Sequence, residues 1–364
     1  MKRLLVLPLV ISLVCTLALC SYASAASAKP IILRFNCQQP ETLWDVGHAA
    51  KPWLRAVEKA TGNKVKFEEY YAQTLSKGPQ AWEATKSGIA DVSWFFHNYT
   101  PGMTTLADVT ALPFMPFTHP VQSSAILWKL YEEFPNLAAQ FKDNKILFLW
   151  GSAPFFLLNS KREIKKLEDL KGLKTRIAGG PPTDAAKVLG MSPMLVSMPD
   201  SYLNLQKGVM DGMAVEWQII EGFKPYEVAK YYTYFPFYTI YFSFSMNWKT
   251  WNSLPPDVQK VFTDLGGYKG AIFYSSHFFR GYDEPLGNIN ERMIKWVREK
   301  GYEAIDYAIP PAELKRWIDV AGKPLWEKWV ADRAAEGYPE ARKILNRTLE
   351  LIETYHPSTK VSLP

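Results

Sequence analysis

The side chains that could do chemistry are scattered along this sequence of 364 residues. None of its five histidines stands at the short spacing of a zinc or metalloprotease motif. The sequence also lacks the G-x-S-x-G turn of serine hydrolases, the G-x-G-x-x-G turn of dinucleotide-binding enzymes and a Gly-Lys-Ser/Thr phosphate loop. Adjacent acids such as Glu132 and Glu133 point to different sides of a helix, so they do not form an acid–base pair. We therefore predict no catalytic residue, no bound metal and no cofactor.

The elements that would have to position a binding site alternate between strand and helix. The first part of the chain has predicted strands at 31–36, 65–71, 90–96 and 146–150, separated by apolar stripes with helical spacing. A second set of predicted strands covers 173–178, 193–197, 210–215 and 238–247. Such alternation is typical of an α/β protein with mostly parallel sheets, and two sets favour two lobes. Beyond residue 255 the pattern is helical, with glycines and prolines that predict kinks or breaks between 265 and 287.

The composition is that of a folded globular chain. Hydrophobic residues make up 48% and charged residues 21% of the sequence, which excludes a disordered or collagen-like protein. The net charge of +6 is too weak to indicate a nucleic-acid partner. Aromatic residues make up 14%, so we expect an aromatic stacking pocket in addition to the core.

The first 25 residues have the layout of a secretory signal peptide. Lys2 and Arg3 are followed by an apolar run to Cys20 and then by small residues that suit a cleavage site. A membrane anchor is the alternative, but no basic stop-transfer cluster follows the run. After cleavage only Cys37 remains, so an intramolecular disulfide is excluded.

Three ordered segments resemble the solute-binding proteins of TRAP (tripartite ATP-independent periplasmic) transporters, the DctP-like family. They are LKGLKTRIAGGPPTDAAKVLG at 170–190, YLNLQKGVMDG at 202–212 and PYEVAKYYT at 225–233. The resemblance implies two α/β lobes joined by a hinge, a cleft that closes on an organic anion, and a long C-terminal helix behind both lobes. We expect lobe I to comprise 26–153 and about 241–284, and lobe II to comprise 154–240 and about 285–364.

By this resemblance Arg176 is the residue that clamps the ligand carboxylate. It stands in the segment LKTRIA, where family members place that arginine. A guanidinium is planar and always charged, and its fork of donors matches a carboxylate.

Departures from the family pattern predict which acid is bound. In relatives that bind dicarboxylates or sialic acid, a second arginine precedes the clamp, and this chain has Phe156 there. Val215 replaces an asparagine of those relatives, and Glu216 replaces the following proline, beside Trp217. Glu216 pairs either with a ligand amine or with a neighbouring lysine, and we favour the lysine.

Three further positions point the same way. Met198 stands where relatives have a pocket phenylalanine, Phe237 stands where a histidine is frequent, and Phe96 ends a strand whose following loop faces the cleft in this family. An apolar cleft with one arginine favours an aromatic or branched monocarboxylate over a dicarboxylate.

The sequence therefore predicts an exported, periplasmic receptor of a TRAP transporter. It would capture an organic acid and deliver it to the integral membrane permease, without making or breaking a bond. A periplasmic sensor receptor is one alternative. An enzyme on a similar scaffold is another, although it would need a nucleophile or acid–base pair that the sequence does not show.

Overall fold

A computed structural model of the chain describes residues 29–278, 286–355 and Leu363. The predicted signal peptide lies outside the described residues. No helix among the residues described is both long and apolar enough to cross a membrane.

Eleven strands and fourteen α-helices are described in these ranges. The strands are β1 Ile31–Asn36, β2 Val65–Tyr70, β3 Val92–Phe96, β4 Lys145–Gly151, β5 Phe156–Asn159, β6 Lys174–Arg176, β7 Ser192–Met194, β8 Gly212–Val215, β9 Tyr231–Tyr234, β10 Tyr241–Met246 and β11 Ile305–Ala308. The helices are α1 Lys51–Ala60, α2 Ala81–Lys86, α3 Pro120–Glu133, α4 Pro135–Ala139, α5 Pro181–Val188, α6 Met198–Gln206, α7 Trp217–Phe223, α8 Trp248–Ser253, α9 Pro256–Leu265, α10 Gly267–Phe278, α11 Leu286–Glu299, α12 Pro311–Ala321, α13 Lys323–Ala335 and α14 Ala341–Thr354.

The strands form two separate sheets, which are the sheets of the two lobes. Lobe I has the order β2-β1-β3-β10-β4, and lobe II has the order β11-β9-β5-β8-β6-β7. This two-lobed α/β architecture confirms the predicted fold class. The sheets are less parallel than predicted, because β10 and β5 each run antiparallel to both of their neighbours. These are the strands that the chain enters when it crosses from one lobe to the other.

Much of the aromatic content is in the core of lobe I. The ring of Trp53, on the apolar face of α1, lies 5.2 Å from Phe148 and 5.3 Å from Phe244. Its indole Nε1 donates to the backbone oxygen of Leu265 at 2.8 Å, so the buried polar atom has a partner. The high aromatic content therefore serves packing as well as any ligand pocket.

The helices that follow β10 connect the two lobes. Helix α10 packs on β4 and α3 of lobe I, whereas Trp296 of α11 contacts Tyr226 of lobe II. These two helices occupy the place of the predicted long helix, and their junction at 279–285 lies outside the described residues.

The C-terminal helices also touch both lobes. Helices α12 and α13 pack on α5, while α14 packs on α3 of lobe I. Arg347 of α14 donates from Nε to a carboxylate oxygen of Glu133 at 2.8 Å. The exact lobe boundaries along the chain remain a prediction.

Candidate functional site

Arg176 is a buried cation at the carboxyl end of β6. The whole residue is 1% exposed, and its Nε donates to the backbone oxygen of Val196 at 3.2 Å. Its Nη1 is buried and has no hydrogen-bond partner among the described residues. Buried charged donors are almost always paired, because leaving one unpaired costs several kcal/mol. The Tyr99 hydroxyl lies near the guanidinium, whose charge lowers the pKa of that hydroxyl against the effect of burial.

Arg176 lines a small cavity between the lobes, which we call the inner cavity. Its volume is about 30 Å³, which is room for about two waters. The residues lining it are Gln38, Gln39, Trp94, Phe96, Tyr99, Ser152, Phe155, Arg176, Met198, Glu216, Gln218, Ile219, Ile240, Phe242 and Phe278. Several of them follow or end the parallel strands β1, β3, β6 and β8, and the carboxyl ends of such strands are where α/β sheets bind ligands.

Direct hydrogen bonds join the lobes around the inner cavity. The hydroxyl of Tyr99 in lobe I accepts from the backbone N–H of Met198 in lobe II at 2.8 Å. The backbone N–H of Gly179 donates to the backbone oxygen of Asn98 at 3.1 Å, and the Asn98 amide donates back to the Gly179 oxygen at 3.2 Å. The described arrangement is therefore the closed one.

Glu216 holds the N-terminus of α7. Its carboxylate oxygens accept from the backbone N–H groups of Gln218 at 2.7 Å and Ile219 at 3.2 Å. Burial raises the pKa of Glu216 to about 8, and these hydrogen bonds only partly oppose the effect. The predicted lysine partner of Glu216 is not found within the described part of the chain, because the carboxylate caps a helix instead.

A second buried acid, Asp45 of lobe I, lies near enough to Glu216 of lobe II to affect its pKa. Its Oδ1 accepts from the side-chain amide of Gln218 at 2.5 Å, and its Oδ2 accepts from the hydroxyl of Tyr274 at 3.3 Å. Burial raises the pKa of Asp45 to about 7. The nearby Asp45 charge in turn adds to the raised pKa of Glu216. Both acids therefore hold a proton more readily than exposed ones.

A larger apolar cavity, which we call the outer cavity, shares Glu216 and Gln218 with the inner one. Its volume is about 520 Å³. The residues lining it are Pro116, Phe117, Thr118, His119, Pro120, Ala153, Pro154, Phe156, Glu216, Trp217, Gln218, Glu221, Tyr234, Phe235, Pro236, Ile289, Asn290 and Met293. Both crossings between the lobes, at 152–156 and 234–241, contribute to its wall.

The predicted site residues divide between these two cavities and the core. Those that line the inner cavity are Arg176, Phe96, Met198 and Glu216. Phe156 and Trp217 line the outer cavity, with ring centroids 5.1 Å apart. Val215 and Phe237 are fully buried and line neither cavity. Phe237 packs instead against Phe235 and Tyr238.

Sequence reasoning missed the polar side chains of lobe I that face Arg176. Gln38 and Gln39 follow β1 after one intervening residue, and Tyr99 follows β3. Their position just after parallel strands is the sequence signal that could have identified them as site residues. His97 stands beside Tyr99 but points away from the cavity, where Nε2 lies 2.9 Å from the Ser243 hydroxyl. Burial lowers the pKa of His97 to about 3, so its imidazole is neutral.

Metal ligation has no support in the part of the chain that the structure describes. No group of three or more His, Cys, Asp or Glu side chains there could hold an ion.

Comparisons with known proteins agree with this geometry. Residues 40–267 match the family model "Bacterial extracellular solute-binding protein, family 7". A curated relative, the 2,3-diketo-L-gulonate-binding periplasmic protein of Escherichia coli, is 23% identical over 85% of this chain and 90% of its own length. The C4-dicarboxylate-binding periplasmic protein of Vibrio cholerae is 24% identical over 90% of this chain and 96% of its own length.

Two solved structures of TRAP solute-binding proteins are also similar. The protein from Rhodoferax ferrireducens, in complex with copurified benzoate, has a TM-score of 0.80 and 26% identity, covering 89% of this chain and 98% of that one. A marine-metagenome protein specific for aromatic acid ligands, in complex with 3-hydroxybenzoate, has the same TM-score and identity, covering 90% and 99%. Because the family model spans more than half of the sequence, this chain belongs to family 7 of the bacterial extracellular solute-binding proteins, the TRAP transporter receptors.

Proposed function

We propose that this receptor captures an organic acid with one carboxylate and an aromatic or branched apolar body. The observation that carries the proposal is Arg176, which lines the inner cavity and whose buried Nη1 has no partner among the described residues. A carboxylate entering the cavity would accept from this guanidinium, and a hydrogen bond between two charged groups is stronger than a neutral one.

The rest of the inner cavity supports a single carboxylate. Arg176 is the one arginine, lysine or histidine among the described residues that line it, and six aromatic rings share the wall with it. A second carboxylate would be desolvated without a cationic partner, which costs several kcal/mol. A ring in the same space gains about 25 cal/mol for each Å² of apolar surface buried.

The similar structures support the same ligand class. Two of the similar structures hold benzoate and 3-hydroxybenzoate, each a ring with one carboxylate. Other members of the family are named for a sugar acid or a dicarboxylate, or hold a sugar acid in their structures. Membership of the family alone therefore does not identify the ligand.

Capture would proceed by closure of the lobes. The inner cavity is too small to hold a benzoate-sized molecule as described, so such a ligand would enter while the lobes are apart and would be enclosed by an arrangement somewhat less tightly closed than this one. The ligand then contributes contacts to both lobes that exist only after closure, and this difference shifts the population toward the closed form. We further propose that the closed receptor acts in the periplasm, delivers the acid to the membrane permease and catalyses no reaction.

Titration calorimetry with benzoate tests the clamp. Arg176→Ala should lose roughly 2 to 5 kcal/mol of binding free energy, as expected when one member of a buried charge pair is removed. That loss exceeds about tenfold in affinity, because about 1.4 kcal/mol corresponds to each factor of ten. Arg176→Lys should recover only part, because a point charge replaces a fork of donors.

The matched control is Arg316→Ala. Arg316 lies on α12, where its half-exposed side chain pairs with Glu313 and Glu168, and exposed pairs contribute little. Benzoate affinity should be the same in this control as in the wild type. If Arg176→Ala binds benzoate as tightly as the control does, Arg176 is not the clamp and the proposal fails.

A further inference from the structure

The outer cavity has the opposite chemistry to the inner one. Its walls are mostly aromatic rings, prolines and aliphatic side chains, and no lysine or arginine occurs among the described residues that line it. The lining includes His119, whose Nδ1 serves as an acceptor for the backbone N–H of Val121 at 3.2 Å. Its acidic groups are the carboxyls of Glu216 and Glu221. An anion placed here would lack a cationic partner and would face two acids, which makes its desolvation unfavourable. The acid that binds Arg176 is therefore not the natural occupant of this cavity.

Its size suits a small organic molecule. The volume of about 520 Å³ is more than ten times that of the inner cavity. An apolar cavity of about 150 Å³ is already large enough to bind benzene, and ligand sites generally are concave, mostly apolar and supplied with a few placed polar groups.

Two polar groups are positioned on the aromatic wall. The side chain of Tyr234 lines the cavity, and its buried hydroxyl has no partner among the described residues, so its O–H is available to an occupant whose oxygen reaches it. The indole of Trp217 donates from Nε1 to the side-chain oxygen of Asn290 at 2.7 Å. That bond joins α7 to α11 and fixes the orientation of the indole ring against the ring of Phe156.

We infer that the outer cavity is a second binding site, which takes a neutral aromatic molecule carrying a hydrogen-bond-accepting oxygen. Aromatic faces on the wall offer edge or offset contacts to a ring, and Tyr234 offers the hydrogen bond. The inference concerns a different cavity from that of the proposed function, and it does not depend on Arg176.

The two cavities are coupled through their common wall. Glu216 caps α7, and Gln218 holds Asp45 of lobe I. The outer cavity is also lined from both lobes, by Phe117 of lobe I and Phe156 of lobe II. An occupant that contacts both lobes stabilises their closed arrangement, so it should raise the affinity for the acid, and the acid should raise the affinity for the occupant by the same factor.

Three probes of equal size and different charge separate the possibilities. Acetophenone is the neutral probe, benzoate is the anion and benzamidinium is the cation. Binding of each is measured by ligand-detected NMR and by calorimetry with the full mature chain. We expect acetophenone to bind the wild type and Arg176→Ala equally well, and saturating acetophenone to tighten benzoate binding several-fold in the wild type.

Two variants locate the acetophenone site. Tyr234→Phe removes the hydroxyl alone and should weaken acetophenone about fivefold, the equivalent of about 1 kcal/mol for one hydrogen bond. Ile289→Trp adds a bulky indole to the cavity wall and should weaken acetophenone binding while benzoate binding is retained, which also shows that the variant is folded.

Several results would overturn the inference. Competition between acetophenone and benzoate, or loss of acetophenone binding in Arg176→Ala, would assign both molecules to the inner cavity. Tighter binding of benzamidinium than of acetophenone would make the site one for cations. Unchanged benzoate affinity at saturating acetophenone would show that binding in the two cavities is not coupled. None of these results tests the proposed role of Arg176. That role is refuted only if Arg176→Ala binds benzoate with unchanged affinity.

Discussion

Gly179 is the residue at which closure of the lobes can be blocked with one methyl group. A Cβ at this position would lie 2.4 Å from the backbone oxygen of Asn98 and 2.6 Å from Cγ of Pro101. Both atoms belong to lobe I, whereas Gly179 belongs to lobe II. Gly179→Ala should therefore be tolerated when the lobes are apart and should clash when they close.

The size of the effect follows from the contacts that closure makes here. Ordinary contacts begin at 3.4 Å, so the methyl group must push the two loops apart by roughly 1 Å, which is more than the packed backbone on either side can absorb. The two hydrogen bonds between Gly179 and Asn98 are already 3.1 and 3.2 Å long, and both would be lost. At about 0.5 to 1.5 kcal/mol each, closure loses about 1 to 3 kcal/mol, and benzoate binding weakens about 5- to 150-fold.

Calorimetry and small-angle X-ray scattering together test this reasoning. The wild type should show a smaller radius of gyration with benzoate than without it, and Gly179→Ala should show little or no decrease. The control is Gly47→Ala, because a Cβ at Gly47 meets nothing within 4 Å. Wild-type affinity and a wild-type decrease in radius for Gly179→Ala would refute the claim that this contact belongs to closure.

Two further predictions concern the acid and the pH. In a thermal-shift screen benzoate and 3-hydroxybenzoate should raise the melting temperature more than succinate or malate do, because the inner cavity offers one cation and many rings; larger shifts from the dicarboxylates would contradict the ligand class. The pKa values of Asp45 and Glu216 rise in the folded chain from ordinary values of 3.8 and 4.5 to about 7 and about 8, so the folded state binds more protons than the unfolded state in between. The free energy of unfolding should therefore fall as pH rises from about 4 to 8 and level off above that range. In urea titrations Asp45→Asn/Glu216→Gln should reduce this fall, and an equal fall in the double variant would show that these two acids are not its source.

The sequence was sufficient for the architecture, and it singled out Arg176, which the structure places on the wall of the inner cavity. Alternating strand and helix patterns predict two α/β lobes, because each pattern reflects local burial on one face of an element. Arg176 was found because its segment resembles the family signature, and a short strand carries its side chain to the edge of the cleft.

The remaining parts of the site depend on contacts between distant segments. Phe156 and Trp217 were correctly predicted to line a cavity. They line a different cavity from Arg176, because Glu216 and Gln218 lie between the inner and the outer cavity. The role of Glu216 was missed because Ser, Thr, Asp and Asn are the usual N-terminal caps of helices, and glutamate is not among them. Val215 and Phe237 show that a position aligned with a pocket residue can be occupied by a core residue when the neighbouring side chains are large.

The position of β10 inside the sheet of lobe I sets the order in which the chain can fold. His97 and Ser243, which are hydrogen-bonded on neighbouring segments, are 146 residues apart in sequence. Strands β3 and β4 each pair with β10 and not with one another, so the sheet of lobe I stays in two parts until residues 241–246 arrive. Pairing across so long a segment is slow, whereas β5 to β9 of lobe II follow one another without interruption by lobe I. Five of the six strands of lobe II can therefore pair before the sheet of lobe I is joined, and only β11 is added to lobe II afterwards.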